Sequence, residues 1–423
     1  MTAIVDEFRW RGLIAQSTDE DALSKALANG PVTFYCGFDP TAASLHVGHL
    51  VQVLTLRRLQ QAGHRPLALV GGATGHIGDP RPTAERTLND PETIAQWVTR
   101  LRAQIEPYLS FEGDNAATMV NNMDWTAGLS VIEFLRDIGK HFRVNKMLTK
   151  DSVAQRLASD QGISYTEFSY QLLQAMDFRE LYRRYGCTLQ TGGSDQWGNL
   201  TAGLDLIHRL EPDAEVHALA TPLMTKADGT KFGKSETGTL WLDPEMTTPY
   251  AFYQFWLNTD DRDISRYMRI LSFKSPKELE ELEKMTEERP QARTAQRALA
   301  EELTTLVHGA DQCAAVIAAS KALFGQGELA DLDEATLAAA VSELPHAKVS
   351  ELGQVTDLFA EVGLVASKSA ARRTVKEGGA YVNNAKVTAE DAVATTDQLL
   401  HGRWLVLRRG KKNLAAIEVT GAC

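Results

Sequence analysis

Residues 32–54 read VTFYCGFDPTAASLHVGHLVQVL, and residues 66–72 read PLALVGG. Residues 32–38 are β-prone and stop at Asp39-Pro40, a turn signal. Val47, Leu50, Val51 and Leu54 then fall at i, i+3, i+4 and i+7, one apolar stripe of a helix. Residues 66–70 form a second short apolar run before Gly71-Gly72. Strand, helix and strand in about forty residues make a βαβ unit, and such a unit implies a parallel sheet.

His46-Val47-Gly48-His49 stands at the start of that helix. Free backbone N–H groups and the helix dipole make such an end an anion site. His46 and His49 share one helix face, where they could donate hydrogen bonds to a phosphate. Gly48 leaves room for a nucleotide ring. Taken alone, the motif also describes two capping histidines around a packing glycine; the strand–turn–helix setting turns the reading toward nucleotide binding. Gly75-His76-Ile77-Gly78-Asp79 begins alike but lacks the second histidine. Its carboxylate would repel phosphate and suits an ammonium group.

Further on, KADGTKFGKSE (226–236) is polar and lysine-rich, and it predicts a mobile loop able to close over phosphates. Gly233-Lys234-Ser235 mimics the end of a P-loop, but Asp228 stands where a P-loop needs glycine. Gly71-to-Gly75 lacks the dinucleotide fingerprint too. In isolation this loop is a solvated basic segment.

Helical stretches are expected at 92–109, 129–138, 165–185, 198–210 and 275–308, giving an α/β body to about residue 220 and mostly helix to about 325. Tyr170, Gln174 and Asp177 repeat at i, i+4 and i+7. Leu172, Leu173 and Met176 occupy other faces, so the polar stripe lines a pocket if the helix is buried on several sides. The 423 residues carry 44 Lys+Arg against 55 Asp+Glu, a net charge of −11. No apolar run approaches the ~18 residues of a membrane span. The N-terminus reads as neither a secretory signal nor a transit peptide. Cys36, Cys187, Cys313 and Cys423 are scattered, which disfavours a zinc site and suggests a reduced, cytoplasmic protein.

The charge is uneven. Residues 345–423 hold 11 Lys+Arg and 8 Asp+Glu, a net of +3, so the first 344 carry −14. Lys368, Arg372 and Lys376 form a basic stripe at i, i+4 and i+8. GAYVNNAKV (379–387) reads as a strand turning at Asn383-Asn384, and Arg408, Arg409, Lys411 and Lys412 add a further cluster. Three clusters on one small module of an acidic chain favour RNA backbone binding.

Together, His-x-Gly-His and Lys-x-x-Lys-Ser resemble the signatures of class I aminoacyl-tRNA synthetases. YCGFDPT (35–41), GGATGHIGDP (71–80), YQLLQAMDF (170–178), GSDQWGN (193–199) and KADGTKFGKS (226–235) resemble the bacterial-type tyrosyl-tRNA synthetases in particular. The C-terminal module resembles the S4 RNA-binding domain. The resemblance spans nearly the whole chain. It implies a Rossmann-like parallel-sheet catalytic domain (1–222), a segment with the lysine loop and a helical anticodon-side domain (223–330), a linker (331–350) and a small α+β S4-like domain (351–423).

The reaction so implied is tyrosine activation by ATP, with magnesium accompanying the nucleotide, then transfer to tRNA(Tyr). The attacking carboxylate is ionised at neutral pH, so positioning and charge stabilisation are the burden rather than a general base. The resemblance gives His46, His49, Lys231, Lys234 and Ser235 to the phosphates. It gives Tyr35 and Asp177 to the substrate hydroxyl, Asp79, Tyr170 and Gln174 to the ammonium, and Gln196 to the carboxylate end. Gly37, Asp39, Thr41, Gly48, Gly193 and Asp195 go to the nucleotide, with Cys36 nearby and Arg86 on pyrophosphate; Arg81 is the candidate for a lysine that many relatives carry in the same loop. It also implies a homodimer, with an interface expected around residues 125–160, including Trp125, Phe134 and Phe142. A tryptophanyl enzyme, a small-acid nucleotidyltransferase and an RNA-binding protein with an inactive core are the alternatives.

Overall fold

The computed structural model describes residues 4–81, 87–160, 162–228, 232–235 and 238–421. The chain divides into two compact units, one of residues 1–246 with 260–284 and one of residues 247–259 with 285–423.

The first unit is built on six strands: β1 (Gln16–Ser17), β2 (Thr33–Phe38), β3 (Arg65–Val70), β4 (Thr118–Asn121), β5 (Cys187–Gly193) and β6 (His217–Thr221), in the order β1-β6-β5-β2-β3-β4. β2 to β6 are parallel, and the short β1 lies antiparallel on β6. Helices and loops cover both faces of such a sheet, which is why β2 and β3 read as near-continuous apolar runs. The chain turns outward in both directions from β2, which pairs with β3 on one side and β5 on the other. In an open α/β sheet, the crevice beyond the strand ends at such a switch point is where ligands bind. Gly37 is the exposed residue of the otherwise buried or half-buried β2, so its backbone borders that opening.

The Val47–Gln61 helix buries its expected stripe, and Val53, Leu56 and Leu59 besides. It packs on the sheet and also on the Asp261–Leu271 helix, so more than one face is covered. The Tyr165–Tyr185 helix has the expected bounds. Ser164 caps its start by accepting from the Glu167 amide, and Gly186, at φ 63°, ends it. The Pro91–Ile105 and Trp197–Leu210 helices also match expectation. Residues 129–138 instead form a single turn, Val131–Glu133, running into a π-helical Phe134–Ile138. The 275–308 stretch breaks into Pro276–Glu288 and Thr294–His308, because Pro290 has no amide hydrogen to continue the ladder and Arg293 adopts φ 50°. A small hairpin, β7 (Lys234–Ser235) with β8 (Gly238–Thr239), completes this unit's strands among the described residues.

The second unit packs the Pro249–Leu257, Thr294–His308, Ala310–Leu323 and Glu334–Ser342 helices together. Its sheet comprises β9 (His346–Val349), β10 (Ala380–Val382), β11 (Ala385–Lys386), β12 (Trp404–Arg409) and β13 (Asn413–Val419), ordered β11-β10-β12-β13-β9. Asn383 and Asn384, at φ 46° and 66°, make the tight turn between β10 and β11 that the sequence pattern predicts. The span 331–350, expected as a linker, carries the Glu334–Ser342 helix and β9, which pairs in parallel with β13. Lys368 is ion-paired to Asp357 at 2.7 Å and Lys376 to Glu390 at 3.2 Å, while Arg372 stays exposed. Arg408 lies over the Tyr381 ring at 4.0 Å, Arg409 donates to the Leu364 carbonyl, and Lys411 and Lys412 are exposed in the β12–β13 turn.

Candidate active site

Tyr35 projects from the middle of β2 and is 1% exposed. Its ring packs against Phe178 at 5.4 Å, and its hydroxyl is buried with no hydrogen-bond partner. Asp177, one residue before Phe178 on the Tyr165–Tyr185 helix, is 3% exposed. Its Oδ1 accepts from Trp125 Nε1 at 2.8 Å and its Oδ2 from Asn122 Nδ2 at 3.0 Å. Burial pushes the Asp177 carboxyl up to about 7, against the two donors, which favour the ionised form. Burial and the charge of Asp177 hold the Tyr35 phenol well above its usual range. A buried hydroxyl with no partner beside a carboxylate makes a receptor for one more hydroxyl.

Trp125, expected at a subunit interface, is therefore inside this pocket. Phe134 and Phe142 are half-buried against the same core. The large apolar side chains that do stand exposed in the region are Val131, Ile132, Leu135, Val144, Leu148 and Leu157.

A polar network leads away from the pocket. Asn122 also accepts from the Ala73 amide and donates to Thr74 Oγ1 at 2.9 Å. Thr74 donates to Asp39 Oδ1 at 2.6 Å, and the Tyr170 hydroxyl donates to Asp39 Oδ2 at 2.7 Å. Tyr170, expected on the ammonium, thus meets a residue expected on the nucleotide. Gln174 is half-buried, and its Oε1 is buried with no donor. Asp79 accepts from Lys150 Nζ at 2.9 Å, Asn199 Nδ2 at 3.2 Å and Gln196 Nε2 at 3.1 Å. The Gln196 amide also reaches Asp195 at 3.4 Å, just past Gly193 at the end of β5.

His46 is the N-cap of the Val47–Gln61 helix. Its Nδ1 accepts from the Gly48 amide at 3.0 Å, and His49 Nδ1 accepts from the His46 amide at 3.3 Å. The two rings stack at 3.9 Å. With Nδ1 accepting in both, each neutral ring carries its proton on Nε2, which leaves one N–H donor apiece. Burial lowers the His46 pKa, and burial with the neighbouring His46 lowers that of His49 to about 3. These are neutral donors rather than cations. A Cβ on Gly48 would come within 2.8 Å of His46 Cε1. The glycine therefore admits the capping imidazole, where the sequence reading gave that space to a nucleotide ring.

The lysine segment comes to the same helix end. Val47 N bonds Leu240 O at 3.1 Å, Leu242 N bonds Leu45 O at 2.9 Å, and Leu240 N bonds Gly233 O at 2.8 Å. Gly233 is at φ 73° with its Cα facing Val47, and a Cβ there would lie 2.7 Å from Val47 Cγ2. The backbone of Lys234 and Ser235 forms β7; Lys231 and Arg86 lie outside the described residues, and Arg81 is exposed. Thr41 is half-buried, with its amide on the Asp39 carbonyl at 2.8 Å. Cys36 is buried beneath the site, its thiol pushed up to about 12 by desolvation, so it has no nucleophilic role at neutral pH.

A parallel sheet with a histidine-capped helix at its switch point, faced by a lysine-bearing segment, defines the class I aminoacyl-tRNA synthetase type of catalytic domain. Residues 27–325 match the family of class I tRNA synthetases (W and Y), and residues 336–417 match the tyrosine–tRNA ligase SYY-like C-terminal domain. The chain is 85% identical over 422 residues to the tyrosine–tRNA ligase of Streptomyces coelicolor, covering 100% of both. It is 64% identical over 430 residues to that of Thermobifida fusca, covering 99% of both. A C-terminally truncated mitochondrial tyrosyl-tRNA synthetase of Coccidioides posadasii superposes with a TM-score of 0.66 at 30% identity, over 75% of this chain and 91% of that one. A tryptophanyl-tRNA synthetase from Encephalitozoon cuniculi, at 14% identity and a TM-score of 0.55, shares the fold, covering 74% of this chain and 89% of its own. The chain belongs to the tyrosine–tRNA ligase family.

Proposed function

We propose that the chain activates L-tyrosine with MgATP and transfers it to the 3′ end of tRNA(Tyr). In the first step a tyrosine carboxylate oxygen bonds to the α-phosphorus, and the bond to pyrophosphate breaks. No proton has to be removed from the attacking group, so catalysis rests on alignment and on donors aimed at the phosphates. His46 and His49 offer their Nε2–H groups there, and Lys231, Lys234 and Ser235 bring donors and charge to the leaving group. Magnesium would enter with the nucleotide, on its phosphates. In the second step the terminal ribose hydroxyl attacks the carbonyl, and AMP leaves.

The observation that carries the substrate assignment is the unpartnered Tyr35 hydroxyl beside Asp177, both nearly sealed from solvent. A phenol fills it; phenylalanine would leave the Tyr35 hydroxyl without a partner, at a cost of about 1–3 kcal/mol for such a buried polar group. We assign Lys368, Arg372, Lys376, Arg408, Arg409, Lys411 and Lys412 to the tRNA backbone. We further assign the tyrosine and ATP chemistry to the first unit, which takes in residues 223–246 and 260–284 beyond the expected 1–222, and the RNA contacts to the second, whose S4-like sheet begins at β9 rather than after residue 350. The exposed apolar group Val131, Ile132, Leu135, Val144 and Leu148 suits a second copy of the chain, as a homodimer, better than water. No described helix is long and apolar enough to cross a membrane, and Cys36, Cys187 and Cys313 are free thiols, which supports a cytoplasmic setting.

ATP–pyrophosphate exchange with each of the twenty amino acids, without tRNA, tests the reading. Exchange with tyrosine alone is expected. Exchange with tryptophan instead would move the assignment to the tryptophanyl class and remove the roles of Tyr35 and Asp177.

A further inference from the structure

Lys150 is a cation inside the amino-acid site. Its side chain is 9% exposed, and its stem runs along Gly198, where a Cβ would stand 3.4 Å from Lys150 Cγ. Its ammonium group is fixed by Asp79 Oδ1 at 2.9 Å and Asn199 Oδ1 at 2.8 Å. The Asp79 oxygens are also held by the amides of Asn199 and Gln196. The carboxylate is thus already matched to one positive charge of protein origin.

The surroundings call for a further cation. The Tyr170 hydroxyl sits in the combined field of Asp39, Asp79 and Asp177, and Gln174 Oε1 is a buried acceptor without a donor. An amino acid arriving here brings an α-ammonium. Two ammonium groups on one carboxylate would lie about 4 Å apart, a repulsion of roughly 1 kcal/mol in water and about 4 kcal/mol near a protein surface. Lys150 has somewhere to go. It and Asp79 both line a cleft of about 550 Å³ whose walls carry Asp151 and Asp195, and also Arg143, Arg209 and the Lys146–Asp205 ion pair.

We propose that Lys150 is a built-in stand-in for the substrate: it occupies Asp79 in the free enzyme and is displaced into the neighbouring cleft when the α-ammonium of tyrosine binds. The lysine keeps a half-buried carboxylate neutralised between turnovers. It also raises the threshold for ligands: a compound without an ammonium cannot displace it, and inorganic cations meet a carboxylate already paired. This rests on the tyrosine reading above and adds the residue that the substrate must move.

The test compares dissociation constants of L-tyrosine and of 3-(4-hydroxyphenyl)propionate, its analogue without the amine, for the full-length wild type, Lys150→Met and Lys150→Arg. Lys150→Met is expected to tighten tyrosine on the order of 10-fold, the scale of one charge-assisted hydrogen bond, and to leave the analogue unchanged or weaker. Lys150→Arg, which keeps the cation, should stay within about 3-fold of wild type for both ligands. Equal weakening of both ligands in Lys150→Met would make the lysine a structural support and overturn the proposal, as would unchanged tyrosine binding. Should Lys150→Met fail to fold, the wild type still decides. The Nζ resonance of Lys150 should shift on saturation with tyrosine but not with the analogue; identical shifts, or none, overturn displacement. A wild type that bound no tyrosine would remove the substrate reading itself, whereas the other failures touch only the lysine.

Discussion

The two ends of the catalytic crevice are built by opposite means. At the phenol end, side chains do everything: Asp177 is wired to Trp125 and Asn122, Asn122 to Thr74, and Thr74 to Asp39, all in buried or half-buried positions. At the proposed phosphate end the Val47 and Gly48 amides of the helix terminus are already bonded, to Leu240 O and His46 Nδ1, so the donors on offer are two imidazoles whose Nδ1 bonds leave Nε2–H free. The contrast follows from what each end must recognise. A neutral hydroxyl has to be told from a hydrogen, which takes a dry receptor whose carboxylate is held in place and whose Tyr35 hydroxyl still lacks a partner. A polyphosphate has to be aligned and its growing charge met, which takes many donors and cations.

That contrast can be broken from either side. The largest effect is expected from Asp177→Ala. It removes the acceptor for the substrate hydroxyl and strands the Trp125 and Asn122 donors, so tyrosine-dependent exchange should fall by about 10³-fold in kcat/KM, mostly through KM, with a loss of about 2–4 kcal/mol in unfolding stability. A change confined to kcat would show that the carboxylate serves the reaction rather than recognition. His49→Ala should do the converse: kcat for exchange down by roughly 10²-fold, tyrosine affinity held, because a single transition-state donor is lost. Equal loss in binding would refute the division of labour.

The ends should also differ in pH response. The folded-state pKa of Asp177 is raised to about 7 from 3.8, so protonation is favoured in the native state. Its contribution to stability is full below the unfolded value and lost as pH rises through about 7. Melting temperature should therefore fall between pH 4 and pH 7 in the wild type, and this component should vanish in Asp177→Asn. Tyrosine affinity should rise over the same window if the ionised form accepts the phenol. Burial lowers both histidines, His49 to about 3, so His49 is neutral across the working range and its donor should give kcat no inflection near the ordinary histidine value. The smallest effect belongs to the second unit. Lys376→Ala removes a charge already paired with Glu390, so tRNA charging should show a KM raised only about 2–3-fold, with exchange untouched and a reduced salt dependence.

The legible parts of the sequence were those written in local periodicity. The Tyr165–Tyr185 helix, the β2–helix–β3 unit and the Asn383-Asn384 turn depend on neighbours a few residues apart. Tyr35 and Asp177 were reached through the motifs they sit in. Asn122 and Trp125 were not reached, because their partner Asp177 is 55 and 52 positions away and no repeat or spacing links them. Trp125 even pointed the wrong way, since a large aromatic in a helical stretch suits an interface as well as a pocket. Lys150 was missed for the same reason, although Asn199, which shares its contact, stood inside the GSDQWGN motif. Gly48 shows the subtler limit: the sequence marks a place without a side chain, but only the coordinates show that the histidine two residues earlier curls into it.

The backbone bonds that stitch Leu240 and Leu242 to Val47 and Leu45 have a kinetic meaning as well. They put a fixed anchor six residues beyond Lys234, so that lysine can never stray more than about 20 Å along an extended chain from the histidine helix. In the role proposed for it, its effective concentration at the phosphates would be set by this short leash and not by the long stretch of sequence between the two motifs. The entropy lost on engaging the nucleotide is then that of a short tether rather than of a large loop.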